Sequence, residues 1–310
     1  MSNSGRKSPR RAANDLTVLL RTVLGEDRFP VDVEALALEV SRNHEDPITA
    51  VKGVDIDGFE GMLRARRKKP GWQILYNTQP RYRGRERFTL AHEFGHYLLH
   101  RRPLTAAHYC NGELSDEFDF ECLPLQANGW KDAEKQREEE ADTFASFLLM
   151  PIDDYRNQVG SQEVTRDLLG HVTNRYGVSL LAAARKWIEF TDTRAAMVVA
   201  RDGFALWGRA STRAYKSGVF IQSGMTIPDG SIMAMGSASQ HTTSQRPVAL
   251  PAGIWTFSRG SEPVRELTFF SDRLGLAVSL LQFDPAVDGA EVEDEEPWDS
   301  YDQFTRDDSR

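Results

Sequence analysis

Two histidines and a glutamate stand at a spacing that suits metal-assisted hydrolysis. His92 and His96 are four residues apart, and Glu93 directly follows the first. On a helix this spacing puts both imidazoles on one face, one turn apart, within reach of a single ion. Neutral imidazole suits Zn²⁺, which acidifies a bound water enough for Glu93 to take its proton. We therefore predict one zinc ion per chain, with both histidines as ligands and Glu93 as general base.

A catalytic zinc also needs a third protein ligand and one open position. His100 is two helical turns from His92, too far along the axis to share one ion, and is interpreted as a surface histidine. The better source is the run Glu138-Glu139-Glu140, which precedes an alanine-rich apolar face. On a helical wheel Glu138 falls beside the inward stripe and Glu139 points away. Glu138 is the predicted ligand, Glu139 stays open as the alternative, and Glu139 and Glu140 are expected on a solvated face.

Three further side chains are candidates for supporting roles. Asp142, one turn after Glu138, is placed to accept the free ring N–H of a ligand histidine and so fix its tautomer. The alternative for Asp142 is a surface carboxylate. Cys110 and Cys122 lie between the two metal helices, where a thiolate could take the open zinc position or sense oxidants. Ordinary reduced cysteines are the alternative, because no paired metal spacing is present.

The elements that must position these residues can be predicted from apolar periodicity. Helical spacing predicts helices over residues 15–24, 33–40, 86–100, 133–150, 166–172 and 179–190. Runs rich in strand formers predict strands over residues 56–63, 72–76, 197–200, 204–207, 253–257, 266–270 and 276–281. The first two strands should form a hairpin, and Asp202-Gly203 favours a second one. The predicted fold class is therefore α+β.

Composition and charge exclude several classes of protein. Hydrophobic residues make up 40% and charged residues 27%, as in ordinary globular proteins. Residues 284–310 hold 11 acidic and two basic residues, a local charge of −9, so the net charge of −8 belongs to this stretch. The basic start lacks the apolar run of a signal peptide, and no stretch suits a membrane span, so no membrane partner is expected. Two cysteines without a disulfide framework favour the reducing cytoplasm.

Two longer blocks around the metal-binding residues resemble the ImmA/IrrE family of zinc metallopeptidases. They are RFTLAHEFGHYLLH at residues 87–100 and EEEADTFASFLLMP at residues 138–151, and the similarity covers roughly residues 16–190. The resemblance implies a gluzincin-like peptidase fold with the same three ligands and the same base.

The resemblance also implies a role and a substrate. Members of this family typically relieve repression by cleaving a helix-turn-helix transcriptional repressor, in mobile-element induction or in stress responses. In zincins the strand before the active-site helix often holds substrate in extended form, so the strand ending at Tyr76 is expected to be an edge for β-addition. Two alternatives remain open: a catalytically silent zinc-fold regulator that binds a repressor or DNA, and a toxin-antitoxin component.

These inferences combine into a domain organisation. It comprises a disordered basic arm at 1–13, a zincin-like peptidase domain at 14–160, a helical segment at 161–192, a strand-rich regulatory domain at 195–284 and an acidic disordered tail at 285–310. The helical segment resembles the helix-turn-helix-like part of longer family members. There Arg185 and Lys186 could meet DNA phosphates, although so few basic residues favour a packing role instead. The strand-rich domain is expected to be a GAF-like sensor, as in those longer members.

Overall fold

The computed structural model describes residues 7–79, 85–109, 114, 120–122, 132–160, 163–238, 245–257, 260–271 and 275–285. The chain divides into two compact units. The first comprises residues 1–155 and 174–179, and the second comprises residues 156–173 and 180–310. Among the helices in the described ranges, none combines the length and hydrophobicity needed to cross a membrane.

Every predicted helix is present. The helices are α1 (Pro9–Leu24), α2 (Val33–Ser41), α3 (Glu86–Leu99), α4 (Asp132–Leu149), α5 (Ile152–Val159), α6 (Arg166–Tyr176), α7 (Leu180–Phe190), α8 (Thr212–Lys216) and α9 (Ile232–Ala238). α1 begins earlier than predicted because Ser8 caps it, its hydroxyl accepting from the Arg11 amide at 3.3 Å. Residues 9–13, predicted to be part of a disordered arm, are therefore helical.

The strands of the described residues number eleven. They are β1 (Ile48–Val54), β2 (Gly61–Ala65), β3 (Trp72–Asn77), β4 (Phe120–Cys122), β5 (Ala195–Arg201), β6 (Phe204–Ala210), β7 (Val248–Leu250), β8 (Thr256–Phe257), β9 (Gly260–Ser261), β10 (Val264–Ser271) and β11 (Leu276–Phe283). The mixture of helices with a strand-rich C-terminal sheet confirms the predicted α+β class.

The first unit contains a four-stranded sheet in the order β1-β3-β2-β4. The predicted hairpin is confirmed, since β2 pairs with β3 in antiparallel register, Met62 opposite Leu75. On its other side β3 pairs with β1 in parallel. The expectation that the strand ending at Tyr76 is a sheet edge is therefore wrong, because β3 has a neighbour on both sides. Among the described strands, β1 and β4 form the edges of this sheet.

Helices α3 and α4 pack closely, and a glycine makes their approach possible. A Cβ on Gly95 would lie 3.0 Å from Cδ1 of Phe144 and 3.4 Å from the backbone of Ala141. Phe94 and Phe144 are fully buried and meet edge to face, with ring centroids 5.8 Å apart. These contacts fix the register of the two helices, and with it the positions of the polar side chains between them.

A buried carboxylate anchors the end of α3 to the sheet. Asp46 accepts hydrogen bonds from Nε1 of Trp72 and from the Leu104 amide, both at 3.0 Å, and from the guanidinium of Arg101 at 3.3 to 3.4 Å. Burial acts to raise the pKa of Asp46, but these donors outweigh it and hold that pKa below its usual value. The ionised carboxylate thus ties the start of β3 to the segment that follows α3.

The second unit is built on a five-stranded antiparallel sheet in the order β6-β5-β11-β10-β7. Asp202 and Gly203 have positive φ angles of 51° and 83° and form the predicted turn between β5 and β6. Glu266 is fully buried on β10, and its carboxylate accepts from the Ile232 and Met233 amides at the start of α9. Its interactions hold α9 to the sheet.

Candidate metal centre

The packing of α3 against α4 brings together the three predicted ligands. His92, His96 and Glu138 offer donor atoms that all lie within 4.8 Å of one another. Nε2 of His92 is 3.0 Å from Nε2 of His96 and 3.1 Å from Oε2 of Glu138, and His96 Nε2 is 3.2 Å from Oε1 of the same carboxylate. Two imidazoles and one carboxylate thus converge on one point.

The electrostatics of this group suit a metal ion. Burial holds the pKa of His96 below its usual value, although Glu138 acts to raise it, so the ring is neutral and can offer a lone pair. Burial also acts to raise the pKa of Glu138, but contacts with His92 and His96 outweigh that effect and hold it well below its usual range. Two imidazole nitrogens and an ionised carboxylate oxygen form a donor set typical of a zinc site with one further position for water or substrate.

The second carboxylate of α4 orients His92. Oδ1 of Asp142 lies 2.8 Å from Nδ1 of His92, the ring nitrogen that faces away from the other donors. A ring N–H donated to Asp142 leaves Nε2 with its lone pair, which is the tautomer that metal binding requires. The structure therefore places Asp142 where its predicted role needs it, although its side chain is 56% exposed.

Glu138 and Glu139 point in different directions from α4. Glu138 faces both histidines, whereas Oε1 of Glu139 is 3.1 Å from Nζ of Lys135, one turn earlier on the same helix. The Glu139 side chain is 53% exposed. Its expected place on a solvated face agrees with the structure, and its direction takes it away from the histidines.

The proposed base, Glu93, follows His92 on α3 and is fully buried. Glu93 has no exposed surface, and Gly61 of β2 lies directly against its carboxylate. A Cβ added to Gly61 would come within 2.7 Å of Oε1 of Glu93 and 2.4 Å of Cγ2 of Thr89. Only a residue without a side chain fits between the strand and this carboxylate, so Gly61 belongs to the wall of the site. The sequence predicts Gly61 near the end of a strand over residues 56–63, but it does not show which helix residue Gly61 faces.

Two neighbouring residues differ from the sequence-based expectation. The sequence predicts a surface position for His100, but its side chain has 0% exposure, because the ring lies between His96 and Glu140. Its Nδ1 is 2.8 Å from Nδ1 of His96, and its Nε2 is 2.9 Å from Oε2 of Glu140. Glu140 is correspondingly only 22% exposed and does not belong to a solvated face. Periodicity on one helix could not reveal a contact that a second helix completes.

The other candidate residues are not among the three metal-binding side chains, and one of them is outside the described residues. Cys110 is outside the described residues, and only the backbone of Cys122 is described, at the end of β4. Lys186 does not offer its charge to a phosphate, since its side chain is 1% exposed and its Nζ is 3.6 Å from Glu189. The guanidinium of Arg185 lies over the Trp207 ring at 5.8 Å. These positions lend no support to DNA binding through α7.

Comparisons with known proteins bear on the part of the chain that holds the metal centre and on the fold. Residues 54–187 match the family model of the IrrE N-terminal-like domain, Peptidase_M78. No curated protein matches the chain. Among solved structures, a Mycobacterium tuberculosis transcriptional regulator is similar with a TM-score of 0.51 at 15% identity, over 89% of this chain and 76% of that one. At that identity the similarity concerns the fold alone. The chain therefore carries, over residues 54–187, an IrrE N-terminal-like domain of the ImmA/IrrE family of metallopeptidases.

Proposed function

We propose that the protein is a zinc-dependent endopeptidase with His92, His96 and Glu138 as metal ligands and Glu93 as general base. The observation that carries the proposal is the convergence of two imidazoles and one ionised carboxylate, on a helix pair that also holds the fully buried Glu93 directly after His92 in the sequence. This arrangement combines the donor set of a catalytic zinc with a proton acceptor at its side.

Glu93, Asp142 and Gly61 each have a separate role in the proposed hydrolysis. A bound zinc ion would supply Lewis acidity, polarising the scissile carbonyl and making a nearby water more acidic. Glu93 takes a proton from the attacking water on its carboxylate and later delivers it to the leaving amine. Asp142 holds the ring of His92 in its Nδ1–H tautomer through the 2.8 Å contact. Gly61 leaves room for the Glu93 carboxylate, which a side chain at this position would displace.

A helix-turn-helix transcriptional repressor is the proposed substrate, cleaved to induce a stress or mobile-element response. The family assignment of residues 54–187 supports a peptidase, and a similar fold that is named a transcriptional regulator supports a place in gene control. The strand-rich second unit would then be the part that senses a signal, in the manner of a GAF-like domain.

The regulator named among similar structures also favours a second candidate function. In that alternative the chain keeps the metal fold in order to bind a repressor or DNA and cleaves nothing. The two functions differ in their dependence on Glu93, because a binding role needs the fold but not the proton acceptor.

The proposed function is tested by a comparison of newly generated protein N-termini. Cells expressing the natural chain are compared with cells expressing Glu93→Ala, under resting and DNA-damaging conditions. The expected result is a small set of cuts that require Glu93, at least one of them in a helix-turn-helix protein. Zinc content of both purified proteins is the control, because the substitution leaves all three proposed ligands. If no cut depends on Glu93 while zinc is retained, the binding function replaces the peptidase.

A substitution at Gly61 should damage catalysis without removing the metal. In Gly61→Ala the new methyl group must displace the Glu93 carboxylate or push β2 away from α3, since Oε1 lies 2.7 Å from the added carbon. A displacement of about 1 Å in a catalytic group costs on the order of 100-fold in rate. We expect that loss in single-turnover cleavage of a substrate identified above, with zinc content unchanged.

Gly170→Ala is the matched control for this substitution. Gly170 lies in α6, and an added Cβ meets no atom within 4 Å. This variant should keep full activity. Equal activity of Gly61→Ala and the natural chain would show that Glu93 does not need the position that the structure gives it.

A further inference from the structure

The far side of His96 is occupied by a chain of polar groups that the proposed mechanism does not use. The Nε2 atom of His96 faces the metal centre, while its Nδ1 is 2.8 Å from Nδ1 of His100. The other nitrogen of His100, Nε2, is 2.9 Å from Oε2 of Glu140. Oε1 of Glu140 in turn accepts from the side-chain amide of Gln136 at 3.1 Å. The four side chains form one continuous path from α4 to the ring of His96.

Metal binding at His96 leaves only one arrangement of protons along this path. A ring nitrogen that binds a metal carries no hydrogen, so His96 must hold its hydrogen on Nδ1. That hydrogen points at Nδ1 of His100, which must then accept. A neutral His100 consequently carries its own hydrogen on Nε2 and donates it to Glu140. Each donor then faces an acceptor: Nδ1 of His96 lies 2.8 Å from Nδ1 of His100, and Nε2 of His100 lies 2.9 Å from Oε2 of Glu140.

We propose that His100 is a positioning residue for His96. Held by Glu140 as its Nε2–H tautomer, His100 accepts the Nδ1–H of His96 and so fixes the ring that presents Nε2 to the metal. The inference rests on the proposed function in one respect only, that a metal ion binds His96. It extends that function by a second layer of residues, since outer partners of a ligand histidine fix its tautomer and raise its basicity.

The geometry separates this role from that of a further ligand. His100 meets His96 at Nδ1, whereas the metal-facing nitrogen of His96 is Nε2, on the other side of the ring. His100 therefore contacts the back of a ligand and does not share the ion. Its backbone amide donates to the carbonyl of His96 at 2.9 Å, which places the ring at the end of α3.

The environment of His100 predicts a strong contribution. Asp142 performs the equivalent task for His92 directly, but its side chain is 56% exposed and water competes for the contact. The side chains of His96 and His100 both have 0% exposure. Hydrogen bonds are stronger in a low local dielectric, and a buried N–H that loses its acceptor keeps the full cost of desolvation. Loss of the His100 acceptor should therefore weaken metal binding more than loss of Asp142.

Two replacements of His100 distinguish the role of its Nδ1 from the role of its Nε2. In His100→Asn the amide oxygen is attached where Nδ1 was, so the acceptor for His96 remains while the link to Glu140 is lost. In His100→Gln the amide lies one bond further out, near the place of Nε2, and the acceptor for His96 is lost. If His100 only filled space, the asparagine and glutamine variants would change zinc affinity to the same extent.

The test measures zinc affinity of the full chain by competition with a chelator, and the absorption spectrum of the Co²⁺-loaded protein. His100→Gln should bind zinc about 10–100-fold more weakly than the natural chain and show an altered cobalt spectrum. His100→Asn should recover most of the affinity and the natural spectrum. Thermal unfolding of the metal-free proteins checks that both variants are folded, and His171→Gln, at an exposed position on α6, is the control.

The outcomes distinguish this inference from the proposed function. Equal zinc affinity in His100→Asn, His100→Gln and the natural chain would overturn the positioning role while leaving the metal site intact. Equal losses in the two variants would also overturn it, since they would show a space-filling role. Failure of the natural chain to bind zinc would instead remove the proposed function, and the inference with it.

Discussion

Replacing Glu93 by glutamine should lower kcat/KM for substrate cleavage by about 10²–10⁴-fold, the usual contribution of a positioned general base. Glutamine has nearly the shape of glutamate, so it fits the fully buried space between α3 and Gly61. It cannot accept a proton from water at neutral pH. The loss should therefore fall on the chemical step and leave KM and zinc affinity close to those of the natural chain.

The measurement is single-turnover cleavage, together with zinc content, of purified Glu93→Gln and of Glu134→Gln. Glu134 is exposed on α4 and undergoes the same change of charge away from the ligands. Glu134→Gln should have natural activity. If Glu93→Gln keeps natural activity with zinc bound, another group takes the proton and the role of Glu93 must be reassigned.

Site residues whose positions depend on one helix can be predicted from the sequence, whereas those whose positions depend on the packing of two helices cannot. The spacing of His92, Glu93 and His96 depends on one helix, and the 3.6-residue period alone indicates that the two imidazoles lie together. The prediction of Glu138 as the third ligand depends only on knowing which face of α4 points inward. The roles of His100 and Glu140 depend on the register between two helices, which Gly95 and Phe144 set by packing. No periodicity within one helix carries that information.

The same distinction applies to the sheet of the first unit. The hairpin of β2 and β3 is local, and its prediction is confirmed. β1 was not predicted, because Lys52 and Gly53 interrupt its apolar run and no period of two is visible. It is a strand because it pairs with β3, with Val51 opposite Ile74. A sheet without β1 leaves one side of β3 unpaired, so a single missed strand is enough to make β3 an apparent edge for substrate binding.

Because β1 and β4 are the edges of this sheet among the described strands, a peptide could not add as a strand directly beside β2. β2 carries Gly61, which lies against the Glu93 carboxylate, and the outer side of β2 pairs with β4, Gly61 opposite Cys122. β2, whose Gly61 lies against the proposed base, is therefore paired on both sides by strands of the chain itself among the described residues. The position of Cys122 in this pairing follows from the backbone register and not from the spacing of cysteines in the sequence.

Replacing Glu138 by glutamine should weaken zinc binding by more than the roughly 10–100-fold that follows loss of an outer-shell partner. Glu138 supplies the only negative charge among the three donors, and its two oxygens lie 3.1 and 3.2 Å from the two histidines. The oxygen of a neutral amide is a poorer metal ligand than a carboxylate oxygen. The amide NH₂ group would also point at the two histidine nitrogens that should bind the metal. Activity should fall together with the bound zinc and return in part when zinc is in excess.

The matched variant is Glu139→Gln, which makes the same chemical change one residue along the same helix. Its carboxylate is half exposed and pairs with Lys135, so zinc affinity and cleavage should both be natural. Competition with a chelator measures both proteins under one condition. The reverse pattern, with zinc lost from Glu139→Gln and retained by Glu138→Gln, would assign the third ligand to Glu139. It would also require α4 to turn by more than a quarter of a helical turn from the register that buries Phe144, and this packing makes that rotation costly.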